Sequence, residues 1–186
     1  LQSYDPIDYP GAHLRRNTGM KVENSGFDEY CMWHTAHTED KGSRYADPLI
    51  YQNGKFLTNT ADKYGPDIFS DYLVDFVGRH KEEPFFIYYP MALTHSPFVP
   101  TPDSKEWQDK TLRHKENNKF FADMVSYTDK IIGKILKNLE DHNLSENTLL
   151  LFYSDNGTKA TITSKIGITS IQGGKGFSND AGTRVP

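Results

Sequence analysis

The sequence predicts an α/β fold, a sheet with helices on its faces. Two short runs carry the prediction. Pro84–Pro90 reads "PFFIYYP" and Thr148–Ser154 reads "TLLLFYS". Both are apolar almost throughout, the pattern of strands buried on both faces. The third observation is a long stretch of helical period between them. Two buried strands joined through a helix imply a parallel pair with a right-handed crossover.

Taken in order, residues 1–28 are rich in Pro, Gly, Asn and Asp and read as irregular. "EYCMW" (29–33) suits a short strand. The polar run from His34 to Asp47 reads as a solvated loop. His34 and His37 are three apart, a spacing that suits a metal on a helix, but no helical pattern surrounds them. "PLIYQNGKFL" (48–57) reads as two short strands about Asn53-Gly54, a strong hairpin turn pair. Residues 66–80 form the first helix, with Pro66 at its first position and Asp67 at the positive end of its dipole. Ile68, Tyr72 and Phe76, with Phe69, Leu73 and Val77, make its apolar face.

After the run at 84–90 comes a proline-rich loop. A second helix follows over 116–142, with Phe120, Met124, Thr128, Ile131, Ile135 and Leu139 on one stripe. Asn143 is its stop. Residues 155–186 are Gly-rich and polar, with no long periodic run.

The bulk numbers exclude several classes of function. The chain has 186 residues, 36% of them hydrophobic, and a net charge of −4. That is enough for a hydrophobic core, and there is no basic face for nucleic acid. No apolar run approaches the roughly 20 residues of a membrane helix. The single cysteine, Cys31, lies between Tyr30 and Met32 and reads as a structural thiol.

In α/β sheets, ligands bind beyond the carboxyl ends of the strands. The run at 84–90 leads to His95, and the run at 148–154 leads to Asp155 and Asn156. These three are therefore candidates for one site. Asp and Asn supply the hard oxygens that Ca²⁺ or Mg²⁺ takes, although "DNG" alone is also ordinary turn chemistry. "QGGKG" sets Lys175 among glycines, where an ammonium can meet an oxyanion. Its plain alternative is a flexible exposed loop, and His95 alone is equally a surface histidine. Sequons at Asn143 and Asn156 read as chance matches.

In order along the chain, "PFFIYYPMALTHSPFVP", "FADMVSYTDKIIGKILKNLEDHNLSENTLLLFYSDNG" and "GGKGFSNDAGTRVP" together resemble the sulfatase family of the alkaline phosphatase superfamily. "GFDEY" and "GSRYADPLIYQNG" resemble the segment that precedes these in arylsulfatase-type members.

The resemblance implies an alkaline phosphatase-like mixed sheet with helices on both faces, here incomplete. It implies that Asp155 and Asn156 are metal ligands, usually for Ca²⁺. It implies that Lys175 and His95 contact the sulfate group, with Lys175 assisting the leaving oxygen. Gly182 and Arg184 match a structural pattern that usually has two glycines, where this chain has Ala181.

The family's formylglycine nucleophile, made from a Cys or Ser in a C/S-x-P/A-x-R signature, has no counterpart here, because "CMWHT" lacks the Pro/Ala and the Arg. The expectation is that residues 1–186 are the central part of a sulfatase catalytic domain, with the formylglycine upstream of Leu1. The isolated chain would then be inactive, and unpaired sheet edges would promote self-association. The expected substrate is a sulfated small molecule or glycan, and the expected location is the periplasm or the outside of a bacterium. Two alternatives remain: a pseudo-sulfatase module that binds sulfated glycans, and a phosphodiesterase or phosphonate hydrolase of the same superfamily.

Overall fold

A computed structural model describes residues 21–33 and 42–185. Most of the first irregular stretch, and both His34 and His37, lie outside the described residues. The chain forms two compact units, residues 1–93 with 129–138 and residues 94–128 with 139–186.

In the first unit, β1 (Cys31–Trp33), β2 (Ile50–Gln52) and β3 (Lys55–Phe56) form an antiparallel meander. Met32 pairs with Tyr51, and Tyr51 with Phe56. The β2–β3 turn is the Asn53-Gly54 pair, with φ of 44° and 86°. Positive φ at both central positions is what a tight hairpin turn demands. Helix α1 (Gly65–His80) starts with Pro66 in its first turn and buries Phe69, Leu73 and Val77 at four-residue steps. Tyr64 and Tyr45 stack with centroids 6.0 Å apart, and the Tyr45 hydroxyl donates to the Ala92 carbonyl at 2.8 Å. Lys134, in the 129–138 stretch, pairs with Asp71 and donates to Ser70 Oγ at 3.0 Å.

Glu29 ties the segment before β1 to the end of α1. Its carboxylate accepts from Arg79 Nη1 at 2.7 Å and Nη2 at 2.6 Å, and from the Tyr72 hydroxyl at 3.1 Å. His80 stands between Glu29 and Glu83, with nitrogen–oxygen distances of 3.0 and 2.5 Å. The Arg79 hydrogen bond, against the opposing effect of burial, holds Glu29 down at about 2 from an ordinary 4.5, with His80 and Tyr72 adding to it.

A carboxyl depressed in the folded state adds stability that is present above its unfolded value. That stability is lost as pH falls from 4.5 toward 2. His80, raised by Glu83 and then Glu29, has the opposite sign: its contribution holds below its ordinary value and fades at higher pH. Urea midpoints measured across the acid range should therefore fall for the wild type, and the fall should be flatter for Glu29→Gln. Equal slopes would show that the cluster does not sense pH.

In the second unit, the loop after His95 packs against the start of helix α2 (Phe120–Asp141). Phe98 meets Phe121 edge-on at 5.3 Å, and the Phe98 carbonyl accepts from Asn117 N at 2.8 Å. Ser104 Oγ donates to Asp123 at 2.6 Å and accepts from Thr101 N at 3.0 Å. Helix α2 buries Phe120, Met124, Tyr127 and Leu139 in this unit, and Ile131 in the stretch that belongs to the first. Its end is built on Asn143, in left-handed conformation at φ 58°. Asn143 N bonds to Glu140 O and Leu144 N to Leu139 O, the paired bonds of a Schellman motif.

Three expectations need correction. The runs at 84–90 and 148–154 carry no strand ladder among the described residues, and both sheets found there are antiparallel. An apolar run becomes a strand only where a neighbour takes its backbone groups. Without one, Phe86 and Tyr88 are exposed on alternate positions, and Leu149, Leu151 and Tyr153 are exposed as well. The helical stripe also differs in detail, since Tyr127 is buried while Thr128 and Ile135 are only half-buried. Finally, residues 155–186 do contain regular structure: a hairpin of β4 (Thr163–Ile166) and β5 (Thr169–Gln172), and a short helix α3 (Asp180–Thr183).

Candidate functional site

The segment after the apolar run at 148–154 turns at Ser154, whose hydroxyl donates to the Asn156 carbonyl at 2.9 Å. Asp155 is exposed and Asn156 half-buried. Immediately beyond, three backbone bonds fasten this segment to the two that follow. Gly157 N donates to Gly182 O at 2.9 Å, Lys175 N to Thr158 O at 2.9 Å, and Gly173 N to Ile162 O at 2.8 Å. Asn179 caps α3, its side-chain oxygen accepting from Gly182 N at 3.0 Å.

The glycines of this frame are there because the backbones nearly touch. A Cβ on Gly157 would lie 1.9 Å from Ala181 O, one on Gly173 2.3 Å from Lys159 O, and one on Gly182 2.0 Å from Phe177 O. None of these three has a positive φ. Close approach, and not conformational freedom, is what requires glycine.

The frame thus brings Asp155, Asn156, Lys175, Gly182 and Arg184 onto one scaffold. Lys175 and Asp155 are exposed, and neither has an ion-pair partner among the described residues. Two opposite charges held on hydrogen-bonded segments without pairing leave both available to a ligand. Arg184 is exposed, and its backbone N bonds to Asp180 O at 2.9 Å, which closes α3.

His95 belongs to the same unit and is exposed, with Nδ1 2.7 Å from the Ser96 carbonyl. A carbonyl can only accept, so Nδ1 carries the hydrogen. His95 joins the frame through its loop. Lys159 Nζ lies 5.6 Å over the Phe98 ring and 3.2 Å from Glu116 Oε1, and Asn118 donates to Thr161 O at 3.3 Å.

For a metal, Asp155 and Asn156 offer oxygens of the kind hard cations take, but they are two where Ca²⁺ takes about six to eight. Among the described residues, no group of three or more His, Cys, Asp or Glu could hold a metal ion. The donors fit in kind and fall short in number. Cys31, half-buried in β1, has its thiol pushed up to about 12 by burial. A thiol held protonated is a poor nucleophile.

The sequence reading missed the hairpin and the glycine contacts. A signal for the hairpin exists: "TSKIGITSIQ" alternates around Gly167, which has φ 60° at a two-residue turn. The signal for the contacts is that glycines recur in all three segments of the frame.

Comparison with known proteins follows the same lines. The Sulfatase family model matches residues 8–186. A protein from Formosa agariphila described as a sulfatase is 30% identical over 215 aligned positions, covering 100% of this chain and 38% of that protein. An N-acetylgalactosamine-6-O-sulfatase from Bacteroides thetaiotaomicron is 32% identical over 132 positions, covering 64% of this chain and 24% of that one. The crystal structure of Ps i-CgsB superposes with a TM-score of 0.68 at 26% identity, covering 89% of this chain and 40% of that one. The chain thus spans about two fifths of the length of these relatives, or less.

Proposed function

This chain belongs to the sulfatase family, and we propose that residues 1–186 are the central part of a catalytic domain that hydrolyses a sulfate ester. The observation that carries the proposal is the glycine-locked frame. It holds Lys175 on a loop bonded directly to the segment that follows Asp155 and Asn156. The share of its relatives' length that the chain spans supports the reading of a part of such a domain.

In this reading, the Lys175 ammonium and the His95 ring donate to the sulfate oxygens. Charge growing on the ester oxygen as the S–O bond breaks is offset by the lysine. Asp155 and Asn156 contribute two oxygens to a Ca²⁺ or Mg²⁺ site, and the cation, when bound, neutralises the sulfate's negative charge. The formylglycine nucleophile lies outside these residues. The substrate class is a carbohydrate or aryl sulfate. A neighbouring structure, Ps i-CgsB in complex with k-i-k-neocarrahexaose, supports an oligosaccharide; it has a TM-score of 0.57 at 26% identity.

The test has two arms. The full-length protein that carries this chain, matured with a formylglycine-generating enzyme, should release sulfate from 4-nitrophenyl sulfate or from a sulfated oligosaccharide. Purified 1–186 should release none. Failure of the full-length protein on every sulfate ester tried would overturn the assignment, and turnover by the isolated chain would overturn the reading of an incomplete site. The exposed faces at 86–88 and 149–153 should also make the isolated chain self-associate, which light scattering would detect.

A further inference from the structure

Residues 158–162 follow Asp155 and Asn156 and run between two neighbours within the second unit. On one side their backbone holds the Lys175 loop: Thr158 O accepts from Lys175 N at 2.9 Å, and Ile162 O from Gly173 N at 2.8 Å. On the other side their contacts reach the His95 loop and the turn before α2. Thr161 O accepts from Asn118 Nδ2 at 3.3 Å. Lys159 Nζ donates to Glu116 Oε1 at 3.2 Å, and the same ammonium lies 5.6 Å over the Phe98 ring.

Phe98 carries these contacts to His95. It lies three residues beyond His95 on the same loop and is 1% exposed, followed by Val99 and Thr101, which are also buried. Its ring meets Phe121 edge-on at 5.3 Å, and its carbonyl accepts from Asn117 N, between Glu116 and Asn118, at 2.8 Å. A close-packed ring transmits a push to the backbone that bears it. His95 is the exposed end of this loop, so its place follows from where Phe98 and its neighbours sit.

We propose that Lys159 is a positioning residue for the sulfate site: its ammonium, held by Glu116 over Phe98, sets His95 at its working separation from Lys175. The inference rests on the reading of His95 and Lys175 as donors to the sulfate. The backbone of Lys159 adjoins the Thr158 carbonyl that bonds the Lys175 loop, and its side chain ends on the His95 loop. One residue thus spans both donors. The role needs a cation, because the Glu116 carboxylate and the Phe98 ring face both attract positive charge. An exposed ion pair alone holds little, but this one shares its cation with an aromatic ring and runs beside the Asn118 bond. Misplacing a catalytic group by about 1 Å can cost about 100-fold in rate, so a modest hold on geometry has a readable effect.

The experiment uses the full-length protein, matured with a formylglycine-generating enzyme and assayed on 4-nitrophenyl sulfate. Lys159→Met keeps a long unbranched side chain and removes the charge. Its kcat/KM should fall about tenfold, the hold of one exposed pair and one cation–π contact, while the melting temperature stays in place. Lys159→Arg keeps both contacts and should retain most of the rate. In a His95→Ala background, Lys159→Met should cost nothing further, because a positioning residue acts only through the group it places. Amide exchange over residues 94–101 should speed up in Lys159→Met and not in Lys159→Arg. Wild-type kcat/KM in Lys159→Met, a tenfold loss that persists without His95, or unchanged exchange over 94–101 would each overturn the proposal. A wild-type protein that releases no sulfate would overturn the sulfate reading and this proposal with it, whereas an active wild type indifferent to Lys159 would overturn this proposal alone.

Discussion

Gly182→Ala is expected to cost about 3 kcal/mol of folding stability, the upper end of the range for overpacking a tight site. The new methyl group would sit 2.0 Å from Phe177 O and 2.5 Å from Gly174 O. Both are backbone atoms and cannot rotate away as a side chain would. Relief has to come from moving α3 away from the segments it touches, which stretches the Gly157 N to Gly182 O bond and frees the loop carrying Lys175. Urea denaturation of the isolated chain measures the loss, and amide exchange at Gly157 and Lys175 should speed up with it. Gly133 is the control. It lies inside helix α2 with nothing within 4 Å of its notional Cβ. There alanine should stabilise by about 0.5–1 kcal/mol through helix propensity. A destabilisation of equal size at both positions would remove the argument from close approach.

The second large effect concerns activity. In the full-length protein, Lys175→Ala should lower kcat about 100- to 1000-fold, the cost of removing one preorganised donor from charge that develops in the transition state. Lys175 is exposed, so the melting temperature should not move, which separates a chemical effect from a structural one. Lys175→Arg keeps the charge on a longer, planar group and should recover only part of the rate. A Lys175→Ala enzyme with wild-type kcat would exclude this lysine from the sulfate.

Elements whose cause is local were legible in the sequence. The Asn53-Gly54 turn, the buried row Phe69, Leu73 and Val77, and the stop at Asn143 all rest on turn chemistry, four-residue spacing or left-handed propensity. Each of those acts within a few residues of itself.

The two apolar runs were read as strands, and that reading depends on a partner. Nothing in "PFFIYYP" specifies what lies beside it, so the pattern can be present while the ladder is not. Asp155, Asn156 and Lys175 were candidates in the sequence only through the order of their segments along the chain, because "DNG" and "QGGKG" are each ordinary turn or loop chemistry when read alone. What holds them together was not legible. The bonds from Gly157 to Gly182 and from Lys175 to Thr158 span sequence separations over which periodicity carries no information. The glycines that permit them look in the sequence like ordinary loop residues.

The hairpin β4–β5 invites one more conclusion. It emerges between Ile162 and Gly173, and the bond from Gly173 N to Ile162 O clamps its two ends at the root. Every residue of both strands is exposed, so the excursion contributes almost nothing to the interior. With its ends already joined, doubling its length would add only about 0.6 kcal/mol of chain entropy. Residues 163–172 therefore behave as a replaceable cassette. A fluorescent tag, an epitope or a shorter turn could be spliced in there, and the scaffold bearing Asp155 and Lys175 would keep its shape.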